Sequence, residues 1–281
     1  MEMRGRRRYP GPGGAGSTGG RGGGAVSTAY NYEVFDFALE PGEFERWLQA
    51  GPGIGQEAPD FELLDLEGEA LRLSALRDRP VVLEFGSYTC PIFSDRVPAM
   101  ERLAQDHPEA AFLVIYVREA HPGEIQGPHR SLVEKWSAAR RLVTAEVLAR
   151  RVLVDSLDGA VHRAYGGAWN PVYVIAPSDG RVVMRQAWNH PALVGAVLDD
   201  LVAGTVSKVP ESIEMLREAG CRPMGLRLLE RGGARALRDF YRSAPRPVSE
   251  ALRSSASEAV REAILGFEDD RECRCRPRTR P

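Results

Sequence analysis

A cysteine, two histidines and a carboxylate stand at the ends of successive apolar runs, where folding could bring them together. Cys90 lies in "FGSYTCPIF" (85–93), directly after the apolar run "RPVVLEF" and just before Pro91 and a helical pattern. Glu119 and His121 lie in "VREAHPGE" (117–124), directly after a second apolar run, "AAFLVIYV". His129 stands just before a long amphipathic stretch. In open α/β sheets, reactive groups gather at the edge where strands give way to helices. The unpaired N–H groups and positive dipole end of a helix N-terminus favour thiolate over thiol. Pro91 suits a first helical turn because it has no N–H to lose. Ser87 and Thr89 shape the turn, and Thr89 is expected to hydrogen-bond either a helix N–H or the sulfur.

Activation alone would not make this thiol a catalyst. A free thiol of pKa ~8.5 is only about 3% thiolate at neutral pH. Lowering the pKa by about two units raises that roughly 25-fold, but intrinsic nucleophilicity then falls roughly 6- to 10-fold. The net gain is a few-fold. Positioning and a proton donor must supply the rest, which is the work expected of Glu119, His121 and His129.

The elements that would position these groups follow from the hydrophobic pattern. "APDFELLDLEGEALRLSAL" alternates across a Glu-Gly turn and reads as a hairpin. "RPVVLEF" and "AAFLVIYV" read as fully buried strands. The stretch after Cys90 is a helix carrying an awkward Pro98, which is expected to kink it. "RSLVEKWSAARRLVTAEVL" is a long amphipathic helix. A short strand, a short helix, a hairpin across "SDG" and a final helix complete the order β-β-β-α-β-α-β-α-β-β-α. That order predicts an α/β, thioredoxin-like mixed sheet flanked by helices. In such folds a proline at the start of a late strand faces the reactive cysteine, often in the cis form. Pro171 in "WNPVYVI" stands there.

Outside this core, residues 1–29 are rich in Gly and Arg and read as a disordered tail. Residues 30–56 read as a packing arm and linker, 57–204 as the domain proper, and 205–281 as a small helical extension with a basic end. No chemistry is legible in that extension. Net charge is −2, which argues against a nucleic-acid or anionic-membrane partner. No run approaches the ~18 apolar residues of a membrane span, and no signal peptide is recognisable. The four cysteines (90, 221, 273 and 275) form no spaced framework, and "CRC" near the end is too small for a metal site. These features predict a cytoplasmic chain with reduced thiols and no bound metal or cofactor.

With these residues in view, the sequence resembles the iodothyronine deiodinase family, thioredoxin-fold selenoenzymes. "FGSYTCPIF" looks like the family's selenocysteine motif, with Cys90 where selenocysteine would stand. "FLVIYVREAHP" and "VDSLDGAVHRAYGGA" resemble segments further along, so the likeness spans about residues 58–203. It implies Cys90 as nucleophile and Glu119, His121 and His129 as a proton-handling network. It also implies reductive removal of halide from an aromatic small molecule. An external thiol, thioredoxin or a low-molecular-weight thiol, would regenerate the enzyme. Family members are dimers, so a homodimer is compatible with the resemblance, although no interface is recognisable. The family often carries two further cysteines; here those places are Tyr88 and Arg150, which leaves no internal resolving thiol near the site. Two other readings compete. The entry to the domain also resembles peroxiredoxin-like peroxidases, but Ser87 stands where their threonine should be, and the peroxide-pocket proline is missing. The third is a redoxin-fold interaction module with an inert Cys90.

Overall fold

The computed structural model describes residues 30–36, 49–167, 170–205, 221–244, 246–255, 257–264 and 266. Seven strands form one mixed sheet: β1 (Glu62–Asp65), β2 (Ala70–Arg72), β3 (Val81–Gly86), β4 (Ala111–Tyr116), β5 (Arg151–Val154), β6 (Val172–Ile175) and β7 (Val182–Gln186). Their order across the sheet is β2-β1-β5-β4-β3-β6-β7. The central β3, β4 and β5 are parallel, while β1, β2, β6 and β7 pair antiparallel. This bears out the thioredoxin-like fold class. The central strands are buried on both faces, which is why their sequences run apolar without alternation.

Three helices cover one face: α1 (Pro91–Asp106), α2 (Leu132–Glu146) and α4 (Pro191–Val202). There Val114, Tyr116, Val152 and Val154 pack with Phe93 and Val97 of α1 and with Ala138, Ala139 and Leu142 of α2. Further along the same face, Val82, Val172 and Met184 pack with Met100 of α1 and Val194, Val197 and Leu198 of α4. The opposite face, with Leu83, Phe85, Ile115 and Tyr173, is covered by Phe61, Leu73, Trp188 and α3 (Ala160–Ala164). Helix α2 opens on Ser131, whose hydroxyl accepts from Glu134 N at 3.2 Å, while the Glu134 carboxylate accepts from Arg130 N. This is a variant of the capping box that sets where the helix begins. Helix α1 runs unbroken through Pro98. The expected interruption is confined to the hydrogen bond that proline cannot donate.

The packing arm holds to the core through Tyr30, Asn31 and Tyr32. Tyr30 Oη meets His162 Nδ1 at 2.9 Å, Asn31 donates to Leu157 O, and Tyr32 donates to Ala120 O. The Arg118 guanidinium lies against both tyrosine rings, at 5.0 and 5.1 Å. Beyond the sheet, α5 (Cys221–Arg227), a π-type turn (Leu228–Gly232), α6 (Ala234–Ser243), α7 (Arg246–Ser255) and a helical stretch over 258–264 form the extension. The tail at 1–29 and the cysteines at 273 and 275 lie outside the described residues. Among the described residues, no helix is long and apolar enough to cross a membrane.

Candidate functional site

Residues 87–90 turn the chain from β3 into α1, and Cys90 N donates to Ser87 O at 3.2 Å to close the turn. Cys90 is the N-cap of α1, with Pro91 next, as the sequence indicated. Its Sγ accepts from Phe93 N at 3.4 Å. A glycine is required at the end of β3, because a Cβ on Gly86 would meet the Phe93 ring at 2.2 Å. That close approach seats the first turn of α1 directly on the strand end.

The parallel register of β3 and β4, which sets Gly86 beside Tyr116, brings Glu119 under the Cys90 turn. Thr89 N and Oγ1 both donate to Glu119 Oε2, at 2.9 and 2.7 Å. Tyr116 Oη donates to Glu119 Oε1, and His129 Nε2 lies 3.2 Å from the same oxygen. Burial by itself would raise the Glu119 pKa. The hydrogen bond and charge of His129, then the Tyr116 and Thr89 hydroxyls, outweigh it and hold the carboxyl below its usual range. Burial, followed by the facing Glu119, pushes the Tyr116 phenol well above its ordinary value. Thr89 Oγ1 also accepts from His121 N at 3.0 Å, and Ser87 Oγ accepts from Ala120 N at 3.0 Å. Thus Ser87 and Thr89 pin the loop after β4 to the Cys90 turn. Thr89 bonds neither the sulfur nor a helix N–H, contrary to expectation, because Glu119 is the stronger acceptor within reach.

The His121 ring lies between Phe35 of the arm, at 4.1 Å, and Phe240 of α6, at 5.4 Å. Desolvation lowers its pKa to about 3, only partly opposed by the Glu119 charge, so the ring is neutral at physiological pH. Pro171 is buried, and its carbonyl accepts from Phe85 N at 3.1 Å. No cis peptide occurs among the described residues, so the Asn170–Pro171 bond is trans. The residue that reaches the sulfur is Asn170: the Cys90 thiol donates to Asn170 Oδ1 at 2.9 Å. Asn170 Nδ2 donates to Phe85 O at 3.2 Å, which fixes the amide with its acceptor towards the sulfur. Sequence reasoning missed Asn170, although its neighbour Pro171 was the available signal. Tyr116 was missed as well, having been read only as part of an apolar strand.

The helix N-terminus does not lower the thiol pKa below its ordinary value in this arrangement. Cys90 is 2% exposed, and desolvation pushes its pKa up to about 12, despite the N–H groups of Phe93 and Ile92 and with further upward pressure from Glu119 and Glu84. A helix N-terminus stabilises charge by a modest amount. Full burial costs more. In this closed arrangement Cys90 is a neutral thiol donating to an amide.

Beneath the turn lies a second charged cluster. Glu84 of β3 accepts from Arg150 Nη1 at 2.5 Å and from Asn189 Nδ2 at 2.6 Å, while Arg150 Nε donates to Glu101 of α1 at 2.8 Å. The Glu84 and Arg150 side chains are essentially fully buried. Arg150 therefore ties the loop before β5 to β3 and α1. Among the described residues, no group of three or more His, Cys, Asp or Glu side chains is arranged to hold a metal ion.

A thioredoxin-like sheet presenting one buried cysteine at a helix N-cap, above a hydrogen-bonded carboxylate, defines a redoxin-class domain. The chain belongs to the iodothyronine deiodinase family, whose sequence profile matches residues 44–187. It is 36% identical over 145 residues to thyroxine 5-deiodinase of Sparus aurata, covering 47% of this chain and 53% of that protein. To the human thyroxine 5-deiodinase it is 35% identical over 134 residues, covering 43% and 44%. The chain thus matches about half the length of these curated relatives. Among solved structures, an uncharacterized conserved protein from Geobacillus kaustophilus aligns with TM-score 0.47 and 20% identity over 56% of this chain and 87% of that one. A thiol-disulfide oxidoreductase from Bacteroides fragilis aligns with TM-score 0.39 and 21% identity over 51% and 98%.

Proposed function

We propose that the chain is a thiol-dependent oxidoreductase that removes halide reductively from an aromatic small molecule, with Cys90 in the place of selenocysteine. The observation that carries this reading is membership of the deiodinase family together with a buried Cys90 at the N-cap of α1, beside the Glu119 network. In the reaction, the Cys90 thiolate attacks the halogen of an aryl halide. The carbon–halogen bond breaks, and the ring carbon takes a proton while the sulfur becomes a sulfenyl halide. A first external thiol displaces halide and forms a mixed disulfide. A second reduces that disulfide and restores Cys90. The sum is one aryl halide and two thiols converted to arene, disulfide, halide and a proton. Glu119 and His129 hold and pass the proton, Tyr116 and Thr89 fix the carboxylate for that purpose, and His121 offers a neutral ring beside the site. With Arg150 and Tyr88 in place of the family's further cysteines, the reductant is an external thiol, thioredoxin or a low-molecular-weight thiol. A reducing cytoplasm suits that cycle.

The test is halide release from iodinated phenols driven by dithiothreitol, compared between the wild type and Cys90→Ser. Thiol-dependent halide release abolished by the substitution supports the proposal. Rapid sulfenic acid formation at Cys90 by peroxide, with no halide released, would replace it with a peroxidase. Neither activity, together with a Cys90→Ser protein altered only in stability, would leave an interaction module.

A further inference from the structure

We propose that the C-terminal extension is a latch over the reactive thiol: residues 221–264 must lift from the sheet edge before Cys90 can react, and Arg231 and Phe240 hold them down. The proposal rests on Cys90 being the reactive group, not on any particular substrate. The extension lies outside the stretch shared with the deiodinase family.

Arg231 spans the turn that carries the thiol. Its Nη1 donates to Tyr88 O at 3.0 Å and to Ser94 Oγ at 2.6 Å, one partner on each side of Cys90 in the chain. Its Nη2 donates to Glu146 at the end of α2, and the guanidinium lies 5.0 Å from the centre of the Tyr88 ring. Arg227 adds a hydrogen bond to Pro91 O at 3.3 Å. On the other flank, Ile125 N donates to Gly232 O, and the Glu124 carboxylate accepts from Arg235 N at the start of α6. Phe240 then closes against His121, with Phe35 of the arm stacked beside it at 5.8 Å. Both chemistry-bearing loops, after β3 and after β4, are thereby covered by one body. The 2% exposure of Cys90 and 7% exposure of His121 describe a site that no substrate ring or reducing thiol can enter.

This cover is built to separate. Met224, Leu228, Leu237, Phe240, Leu252, Val260 and Ile264 form an apolar cluster of the extension's own, distinct from those of the sheet. Its attachment to the core runs mainly through single arginine side chains and a few backbone contacts, with Phe35, Ile92 and the Phe240–His121 ring contact as the exceptions. Polar, charge-assisted attachment between bodies with separate cores is the pattern of parts that move relative to one another. Such units open locally below the cost of global unfolding.

The experiment is the rate of Cys90 alkylation by iodoacetamide in the full-length chain, read by mass spectrometry on the Cys90 peptide. Arg231→Met and Phe240→Ala are each expected to raise the rate at least tenfold while the urea midpoint of the sheet stays in place. Val197→Ala, in the apolar cluster under α4, serves as control: it should lower that midpoint without speeding alkylation under native conditions. Unchanged rates in both latch variants, or rates that rise only in step with lost global stability, would overturn the proposal. Hydrogen exchange on the unsubstituted protein gives a second reading. Amides of 221–264 should exchange together and ahead of those in β3 and β4, and exchange at the same rate as those strands would equally overturn it.

Discussion

Acid sensitivity is the property in which a single side chain of this site should be visible in the stability of the whole chain. The His121 ring is enclosed by Phe35 and Phe240, and its pKa falls from the usual 6.5 to about 3. The unfolded chain therefore takes up a proton at His121 near neutrality, whereas the folded chain resists until far lower pH. Between those values the unfolded state binds more protons, so stability falls as pH falls. The contribution is complete above about pH 6.5 and is lost progressively towards about pH 3. From about pH 7.5 to about pH 5, a shift of this size removes about 2 kcal/mol. His121→Gln abolishes that titration. It costs packing at every pH but should flatten this component of the profile. Urea unfolding of both proteins at the two pH values isolates the effect, because the other titrating groups contribute similarly to each. The wild type should lose about 2 kcal/mol more than the variant on acidification. Equal losses would show that the ring is already solvated in the fold and would refute the enclosed-histidine argument.

Asn170→Leu removes the acceptor that favours the neutral thiol, so the Cys90 titration midpoint, followed by thiolate absorbance against a Cys90→Ser reference, should move down. The same variant should lose about 1–3 kcal/mol in urea, because the Phe85 carbonyl loses its donor; a midpoint that rises or stays fixed would refute the assigned role. Gly86→Ala drives a methyl into the Phe93 ring and should cost about 1–3 kcal/mol. An unchanged urea midpoint would mean that the first turn of α1 is not seated on β3 as described.

Much of this arrangement is legible in the chain because it is local. The apolar runs of β3 and β4 end at Cys90 and at Glu119, and parallel pairing alone then sets the two groups side by side. The turn at Cys90, the Pro91 start and the two-stranded close of the sheet follow from residue types next to one another. The unread parts depend on distance along the chain. Asn170 meets Cys90 only through the antiparallel register of β6 with β3, a pairing that no spacing rule supplies. Tyr116 reads as one more apolar strand residue until the hydroxyl's partner is known. Glu84 likewise hides in a buried run, since its counter-charge comes from a loop two strands later. The thiol's pKa depends on distant parts of the chain in the same way. The helix end that favours thiolate is next to Cys90 in sequence, whereas the apolar cluster that buries it draws on β4, α2 and β5, far along the chain.

The Glu84–Arg150–Glu101 cluster also constrains the order in which this chain could change. Arg150 occupies the place where the family resemblance puts a further cysteine. Replacing it alone would leave the buried Glu84 carboxylate only the neutral Asn189 amide as partner, a loss of about 3–5 kcal/mol for a broken buried pair. Neutralising Glu84 first leaves Arg150 its second partner, Glu101, and makes the later exchange for cysteine tolerable. Of the two mutational paths, the first leaves a buried carboxylate with a neutral partner, whereas the second leaves the guanidinium a carboxylate. The buried charges thus decide the order in which a cysteine could be introduced at this place.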